Sequence, residues 1–242
     1  MKIAIIGRGN VATNIFHTLR EKNISTEMFS SRSGLDLLPD NYDVYIYAVR
    51  DEALQEVVSK VHVQLRALHL HTSGTMPLSV FDSGTDCPDK LHCGILYPFQ
   101  TFSKERLTDF SKVPVFIEAK GIDDISAVYA VALTLSGHVY ETTAAERQRL
   151  HIAGVFASNF TNLMYSVAAD IIKNTHIPFS ALLPLIDETA NKVHNLTPYD
   201  AQTGPARRHD ENVIKQHLSK LDTEQQRQIY SLLTECIKNK YL

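Results

Sequence analysis

Tryptophan is absent and cysteine is scarce, at three in 242 residues. Three is an odd number, and Cys87, Cys93 and Cys236 lack the spacing of a metal-binding set. A disulfide scaffold and a zinc module are therefore excluded. Long apolar runs are also missing. A membrane helix needs roughly 20 apolar residues, and the chain has no such stretch. There is no basic excess, since the formal net charge is −3, so nothing points to nucleic acid as a partner. Met1–Ile6 is too short for a signal-peptide core and runs straight into a glycine loop. It reads as a first strand. With no export signal read there, a reduced cytoplasm is the expected setting.

Present instead are short apolar runs alternating with helical segments. Strands are expected at Lys2–Ile6, Ser25–Ser30, Asp43–Val49, Ala67–His71, Leu91–Leu96, Val113–Glu118 and Gly137–Thr142. Helices are expected at Val11–Glu21, Asp51–Lys60 and Asp123–Ser136. This alternation predicts βαβ units and a parallel, doubly wound sheet. From Thr143 onward only helical periodicity remains. Ala144–Lys173 reads as one long helix with a broad apolar stripe, followed by Phe179–Asn195, Glu211–Leu221 and Thr223–Lys238. Thr223 and Gln226 form a capping-box pattern. Two domains are expected, 1–142 and 143–242, without a low-complexity linker. A helix so apolar needs more than one covering surface, which predicts a homodimer through the helical half.

The loop Gly7-Arg8-Gly9-Asn10-Val11-Ala12 lies between a strand and a helix, the context that a dinucleotide-binding motif requires. Gly7 permits the tight turn, Gly9 lets backbone approach a pyrophosphate, and Ala12 lets helix and strand pack closely. The helix N-terminus then offers free N–H groups to the phosphates. An NAD site carries an acidic residue near the end of the second strand. Here that region is Phe29-Ser30-Ser31-Arg32-Ser33, and Glu27 falls inside the strand. Arg32 can grip a 2′-phosphate, with Ser31 and Ser33 donating hydrogen bonds. NADP(H) is expected over NAD(H). A solvated surface arginine is the alternative for Arg32.

Three sequences carry a resemblance: Gly7 to Ala12, Ser30-Ser31-Arg32-Ser33 and Tyr47-Ala48-Val49-Arg50-Asp51. On these the N-terminal half resembles the pyrroline-5-carboxylate reductase and 3-hydroxyacid dehydrogenase group. The group's third strand ends near the cofactor, which implies contacts from Ala48 and Val49. Four further motifs extend the resemblance to nearly the whole chain. They are His71-Thr72-Ser73-Gly74, Tyr97-Pro98-Phe99-Gln100-Thr101-Phe102, His151 with Ala153, Ala157, Ser158 and Asn159, and Ala201 to Asp210. On them the chain is similar to a bacterial family that joins a Rossmann-like domain to a helical domain of unknown function, DUF2520. The resemblance implies a C-terminal half like that of 6-phosphogluconate dehydrogenase. It also implies an NADP-dependent oxidoreductase whose helical domain dimerises in relatives.

Hydride transfer needs a group that manages a proton beside the nicotinamide. The ends of the fourth and fifth strands are where a doubly wound sheet presents such groups. Ser73 resembles the substrate-contacting serine of the hydroxyacid dehydrogenases, and Gly74 would allow close approach. A capped turn leading to Met76-Pro77 is the alternative. His71 fits a packed, hydrogen-bonded strand end better than an acid or base. Tyr97, Phe99 and Phe102 can wall the nicotinamide side or pack in the core. Gln100 and Thr101 can orient a polar substrate group. On the long helix, relatives carry a catalytic lysine one turn before an asparagine, whereas this chain has Val155 before Asn159. That departure argues against simple 3-hydroxyacid oxidation. It leaves His151, about 12 Å along an α-helix from Asn159, as a candidate acid or base. Asn159 is a candidate substrate or nicotinamide contact. Arg207 and Arg208 can bind a substrate carboxylate, or form an interdomain or subunit salt-bridge cluster. A small molecule bearing a carboxylate and a carbonyl or imine is the expected substrate. A non-catalytic NADP-binding protein is the other reading.

Overall fold

Ile3 and Ile5 face one side of the first strand and Ala4 and Ile6 the other, and all four are fully buried. A strand apolar on both faces must sit inside a sheet covered on both sides. The computed structural model describes residues 1–35, 38–61, 65–84 and 91–241. Cys87 lies outside the described residues. The chain divides into two compact units, Met1–Ser158 and Asn159–Leu242. The sequence change near 142 marks where strands stop; the compact units divide after Ser158.

The first unit contains β1 (Lys2–Ile6), α1 (Asn10–Glu21), β2 (Ser25–Phe29), β3 (Val44–Tyr47), α2 (Asp51–Lys60), β4 (Leu68–His71), β5 (Cys93–Pro98), β6 (Val115–Ala119), α3 (Ile122–Leu135), β7 (Val139–Glu141) and α4 (Ala144–Gly154). The seven strands form one sheet in the order β2-β1-β3-β4-β5-β6-β7. α1 and α3 contribute to the core on one face. α2 and a 3₁₀ turn at Leu78–Gly84 contribute on the other. The chain leaves β1 for β2 on one side and returns to β3 on the opposite side. That reversal opens a crevice at the carboxyl ends of β1 and β3.

The expectation of a parallel sheet needs one correction. β5 and β6 are antiparallel, with β6 and β7 parallel to each other. A parallel pairing needs a long crossover, usually helical. Residues 99–114 hold only the 3₁₀ turn Phe110–Lys112, so the chain turns back beside β5.

The two faces differ in chemistry. Val44, Ile46, Leu68 and Leu70 belong to an aliphatic core. Tyr45, Tyr47, His69 and His71 alternate with them, and the Tyr45 ring stacks on His69 at 5.0 Å. Tyr47 Oη lies 3.1 Å from His69 Nδ1, whereas Tyr42 Oη and His71 Nε2 are buried on the same face without a hydrogen-bond partner among the described residues.

The second unit contains α5 (Thr161–Ile172), α6 (Leu183–Lys192), α7 (Glu211–Lys220) and α8 (Glu224–Lys240). Thr223 and Gln226 make the capping box expected from the sequence. Asp210 caps α7 by accepting the Val213 N–H at 3.2 Å. The helix expected over Ala144–Lys173 is broken in type, with π-helical residues Val155–Phe160 between α4 and α5. A π turn is wider than an α turn. The α-helical spacing of His151 and Asn159 therefore does not carry across it.

Candidate active site

Gly7 follows β1 at φ +128°, and a side chain there would place Cβ 2.2 Å from the Ala48 carbonyl oxygen. No other residue type fits this turn. Gly9 is different. It is the N-cap of α1 at φ −79°, and a Cβ built there meets nothing within 4 Å. Neither backbone strain nor internal packing requires glycine at Gly9, so the open space belongs to whatever approaches the loop. The first N–H groups of α1 have no intrahelical acceptor, and no acidic residue occupies its first turn. The end of α1 is thus set for an anion.

A cavity of about 810 Å³ opens over this loop. Gly7, Arg8, Gly9, Asn10 and Val11 line it, with Ser31 and Arg32 beyond β2 and Ala48 and Val49 beyond β3. Of the expected cofactor residues only Ser33 is not among the lining residues. Sequence reasoning passed over Ser30, Arg50 and Thr72, and over the α2 face of Ala53, Glu56, Val57 and Lys60. That face was accessible to helical periodicity, since positions three and four apart share one side. Arg8, Arg32 and Arg50 take part in no ion pair among the described residues. Glu27 lies 4.0 Å from Lys2, and the lining carboxylate Glu56 pairs with Lys60.

Thr72 carries the chain from the cavity to a second corner. Ser73 Oγ accepts the N–H groups of Thr75 and Met76 at 3.0 and 2.9 Å, and Thr75 donates its hydroxyl to Asp51. This is a capped turn, and the Ser73 hydroxyl hydrogen has Thr75 Oγ1 at 3.4 Å as an acceptor, since Thr75 donates its own to Asp51. His71 Nδ1 accepts the Ser73 N–H at 3.2 Å, which assigns the ring proton to Nε2. Burial, helped by the Arg147 charge, lowers the His71 pKa to about 4, so the ring stays neutral near pH 7.

Tyr97 leaves β5 with its hydroxyl 3.0 Å from Nδ1 of His151 on α4. Both groups close over Gly74, where a Cβ would lie 2.7 Å from His151 Nδ1 and 2.9 Å from Tyr97 Cζ. Burial pushes the phenol pKa up to about 12, so Tyr97 holds its proton and is available as a donor to this ring nitrogen. Beneath them Arg147 is fully buried, bonded to Glu118 and to the Ser73 carbonyl. Ser73, Gly74 and His151 are thus brought together. Arg147 was missed in the sequence, although it stands four residues before His151 and so on the same helix face. Tyr97 was read as a wall, without its partner.

Gln100 is exposed, with Oε1 accepting the Thr101 N–H at 2.8 Å. Asn159, Arg207 and Arg208 belong to the second unit. Asn159 is exposed within the π-helical residues, and Arg208 is exposed. Arg207 places its guanidinium 4.1 Å from the Tyr241 ring, which stacks on Tyr199 at 4.3 Å. This cation–π contact gives Arg207 a structural partner inside its own unit.

The family described as DUF2520, a domain of unknown function, matches residues 113–237, just over half of the chain. The chain belongs to this family. Among solved structures it is similar to a "putative NADP oxidoreductase" from Bacteroides fragilis. That likeness has 38% identity, a TM-score of 0.89 and 98% of both chains covered. A protein from Thermotoga maritima aligns at 16% identity and TM-score 0.72, covering 99% of this chain and 98% of that one. An imine reductase from Myxococcus stipitatus, in complex with NADP+, aligns at 13% identity and TM-score 0.61, covering 99% and 92%. No curated protein sequence is similar to the chain. The architecture of this DUF2520 protein is a Rossmann-like sheet followed by a helical region.

Proposed function

We propose that this DUF2520 protein is an NADP(H)-dependent reductase or dehydrogenase acting on a small carbonyl or imine that carries a carboxylate. The observation that carries the proposal is the cradle at Gly9. Space is left open over an uncapped helix N-terminus, and Arg32 stands on the same cavity without a carboxylate partner among the described residues. The pyrophosphate of NADP(H) fits this arrangement, and Arg32 with Ser31 suits its 2′-phosphate. The 38% identical B. fragilis protein, described by its NADP chemistry, supports the same cofactor.

When bound, NADPH supplies a hydride to the substrate carbon. The chain's own residues then have to deliver a proton. In this reading the Tyr97–His151 contact is a relay: His151 Nε2–H gives its proton to the substrate heteroatom as Nδ1 takes the Tyr97 hydroxyl proton, and water then reprotonates the phenol. Ser73 holds a further hydroxyl hydrogen at the same turn, with Thr75 Oγ1 as its present acceptor. This pair answers the absence of lysine at Val155, the observation that favours a non-catalytic NADP-binding protein. Arg207, Arg208, Asn159 and Gln100 remain proposed substrate contacts. Among the described residues Cys93, buried, and Cys236, exposed, are free thiols, which suit a reducing cytoplasm. A homodimer formed by the helical unit is part of the same proposal. No described helix is long and apolar enough to cross a membrane.

Calorimetric titration with NADPH and NADH tests the cofactor. Tighter binding of NADPH is expected, and no binding of either would sink the reading. NADPH oxidation across a panel of keto acids and cyclic imines then separates enzyme from binding protein. Tight binding with no turnover on any panel member would favour the latter.

A further inference from the structure

Arg147 is the only charged side chain fully buried among the described residues. Taking a charge out of water is costly unless it is paired and hydrogen-bonded. Its Nε and Nη2 lie 3.2 and 3.1 Å from Glu118 Oε2, and its Nη1 lies 3.3 Å from the Ser73 carbonyl oxygen. An apolar side chain would fill such a space without the desolvation cost, so stability alone does not account for a guanidinium there.

What the contacts accomplish is placement. Glu118 comes from β6, Ser73 from the turn after β4, and Arg147 from α4, one helical turn ahead of His151. Holding the Ser73 carbonyl fixes the turn whose next residue, Gly74, lies under Tyr97 and His151. Holding Glu118 fixes α4 against the sheet. The 3.0 Å contact from Tyr97 to His151 forms between these two fixed parts. Several charged or titratable groups act around the phenol. Arg147 and His151 face it from α4, and Asp51 acts from the start of α2. Neutral His71 of β4 lies under the same Arg147 charge, and Glu118 of β6 offsets part of it. Arg147 favours the phenolate and Asp51 opposes it.

We propose that Arg147, braced by Glu118, is the positioning residue of the Tyr97–His151 pair, setting the contact between the two rings and steadying the phenol as its proton moves. This rests on reading the pair as the proton donor, but its test needs no turnover. Replacing both partners with apolar residues, Arg147→Met with Glu118→Leu, removes the charges without leaving either one buried alone. The readout is the ring nitrogen NMR signals of His151, assigned by their loss in His151→Gln.

In the native protein His151 is expected as a single tautomer, with Nδ1 accepting and Nε2 protonated. The apolar pair is expected to give a tautomer mixture, and so is Tyr97→Phe. Arg147→Lys is expected to restore part of the native signal. NADPH affinity should stay within twofold of native, because neither Arg147 nor Glu118 lines the nucleotide cavity. A folded apolar-pair variant with the native His151 tautomer would overturn the proposal. Should that variant not fold, Arg147→Gln with Glu118→Gln, which removes both charges but keeps polar side chains at the two positions, gives the same reading, and an unchanged tautomer there overturns it equally. Loss of NADPH binding by the native protein would instead sink the cofactor reading alone.

Discussion

Gly7 and Gly9 stand two residues apart and should respond oppositely to the same change. Gly7→Ala drives a methyl into the Ala48 carbonyl at a φ that disfavours any side chain, so it should cost several kcal/mol (about 2 or more) of stability. Gly9→Ala meets nothing, and should cost less than about 1 kcal/mol as a poorer cap. Its NADPH affinity should nevertheless fall at least about tenfold, because the methyl occupies the approach to the pyrophosphate. Urea unfolding and calorimetry separate the two effects, and a Gly9→Ala variant that binds normally would remove the argument from open space. Arg32→Ala should lose about 1.5–3 kcal/mol of NADPH binding, the value of charge-assisted hydrogen bonds, while NADH binding changes little. Equal losses for both cofactors would refute the 2′-phosphate assignment.

Buried His71 supplies a prediction of another kind at this scale. Its folded pKa, about 4, lies below the ordinary value of 6.5. Folding therefore favours the neutral ring. The stabilisation is complete above pH 6.5 and is lost as pH falls toward 4, by up to about 3 kcal/mol. Denaturation midpoints measured between pH 7 and pH 4.5 should fall more steeply in the native protein than in His71→Phe. Parallel slopes would show that His71 does not carry the acid sensitivity.

At the scale of elements, α1 does more than present its N-terminus. Asn14, almost fully buried in its middle, donates to the Asn10 and Ser103 carbonyls at 2.9 and 2.8 Å and accepts the Thr108 N–H at 2.9 Å. Asn10, which lines the cavity, donates to the Phe102 carbonyl at 2.9 Å. The segment after β5 is thereby tied to the cofactor helix. Asn14→Ala would remove the partner of part-buried polar groups on residues 103 and 108 and should cost about 1 kcal/mol. Faster amide exchange across residues 102–108 is the specific signature expected. Unchanged exchange there would mean that other contacts hold the segment.

What was legible follows from how local each cause is. β1, the glycine loop and α1 were readable because glycine chemistry and hydrophobic period act over a few residues. α2 was readable from Asp51 to Lys60 for the same reason. The reversal of β6 was not, since strand direction depends on how residues 99–114 travel. The contact of Tyr97 with His151 joins residues 54 apart in sequence. It depends on Gly74 and Arg147 being brought to the same place, which no periodicity reports. The Asn14 clasp was hidden likewise, because an asparagine on the core face of a helix resembles an ordinary polar lapse until its three partners are known.

At the scale of the molecule, the second unit raises the question of what covers it. α5, α6 and α8 contain no buried residue. Yet α5 carries Leu163 at 49% exposure, α6 Leu185 at 65% and α8 Leu232 at 62%. Scattered exposed leucines are ordinary on a protein surface, but three helices without one fully buried residue are not. A helix with an apolar stripe gains most of its stability from packing that stripe. The homodimer proposed above would cover this unit with a surface of matching apolar character, a second copy of itself. Light scattering coupled to size exclusion should give twice the chain mass of 27.2 kDa at micromolar concentration. Leu185→Glu and Leu232→Glu place a charge where the partner would close, and each should shift the protein toward monomer and lower its melting temperature. The first unit has its own two-faced core, so NADPH binding should persist in those monomers at reduced stability. A native protein that runs as a monomer, with leucine variants as stable as the parent, would mean that these helices need no partner.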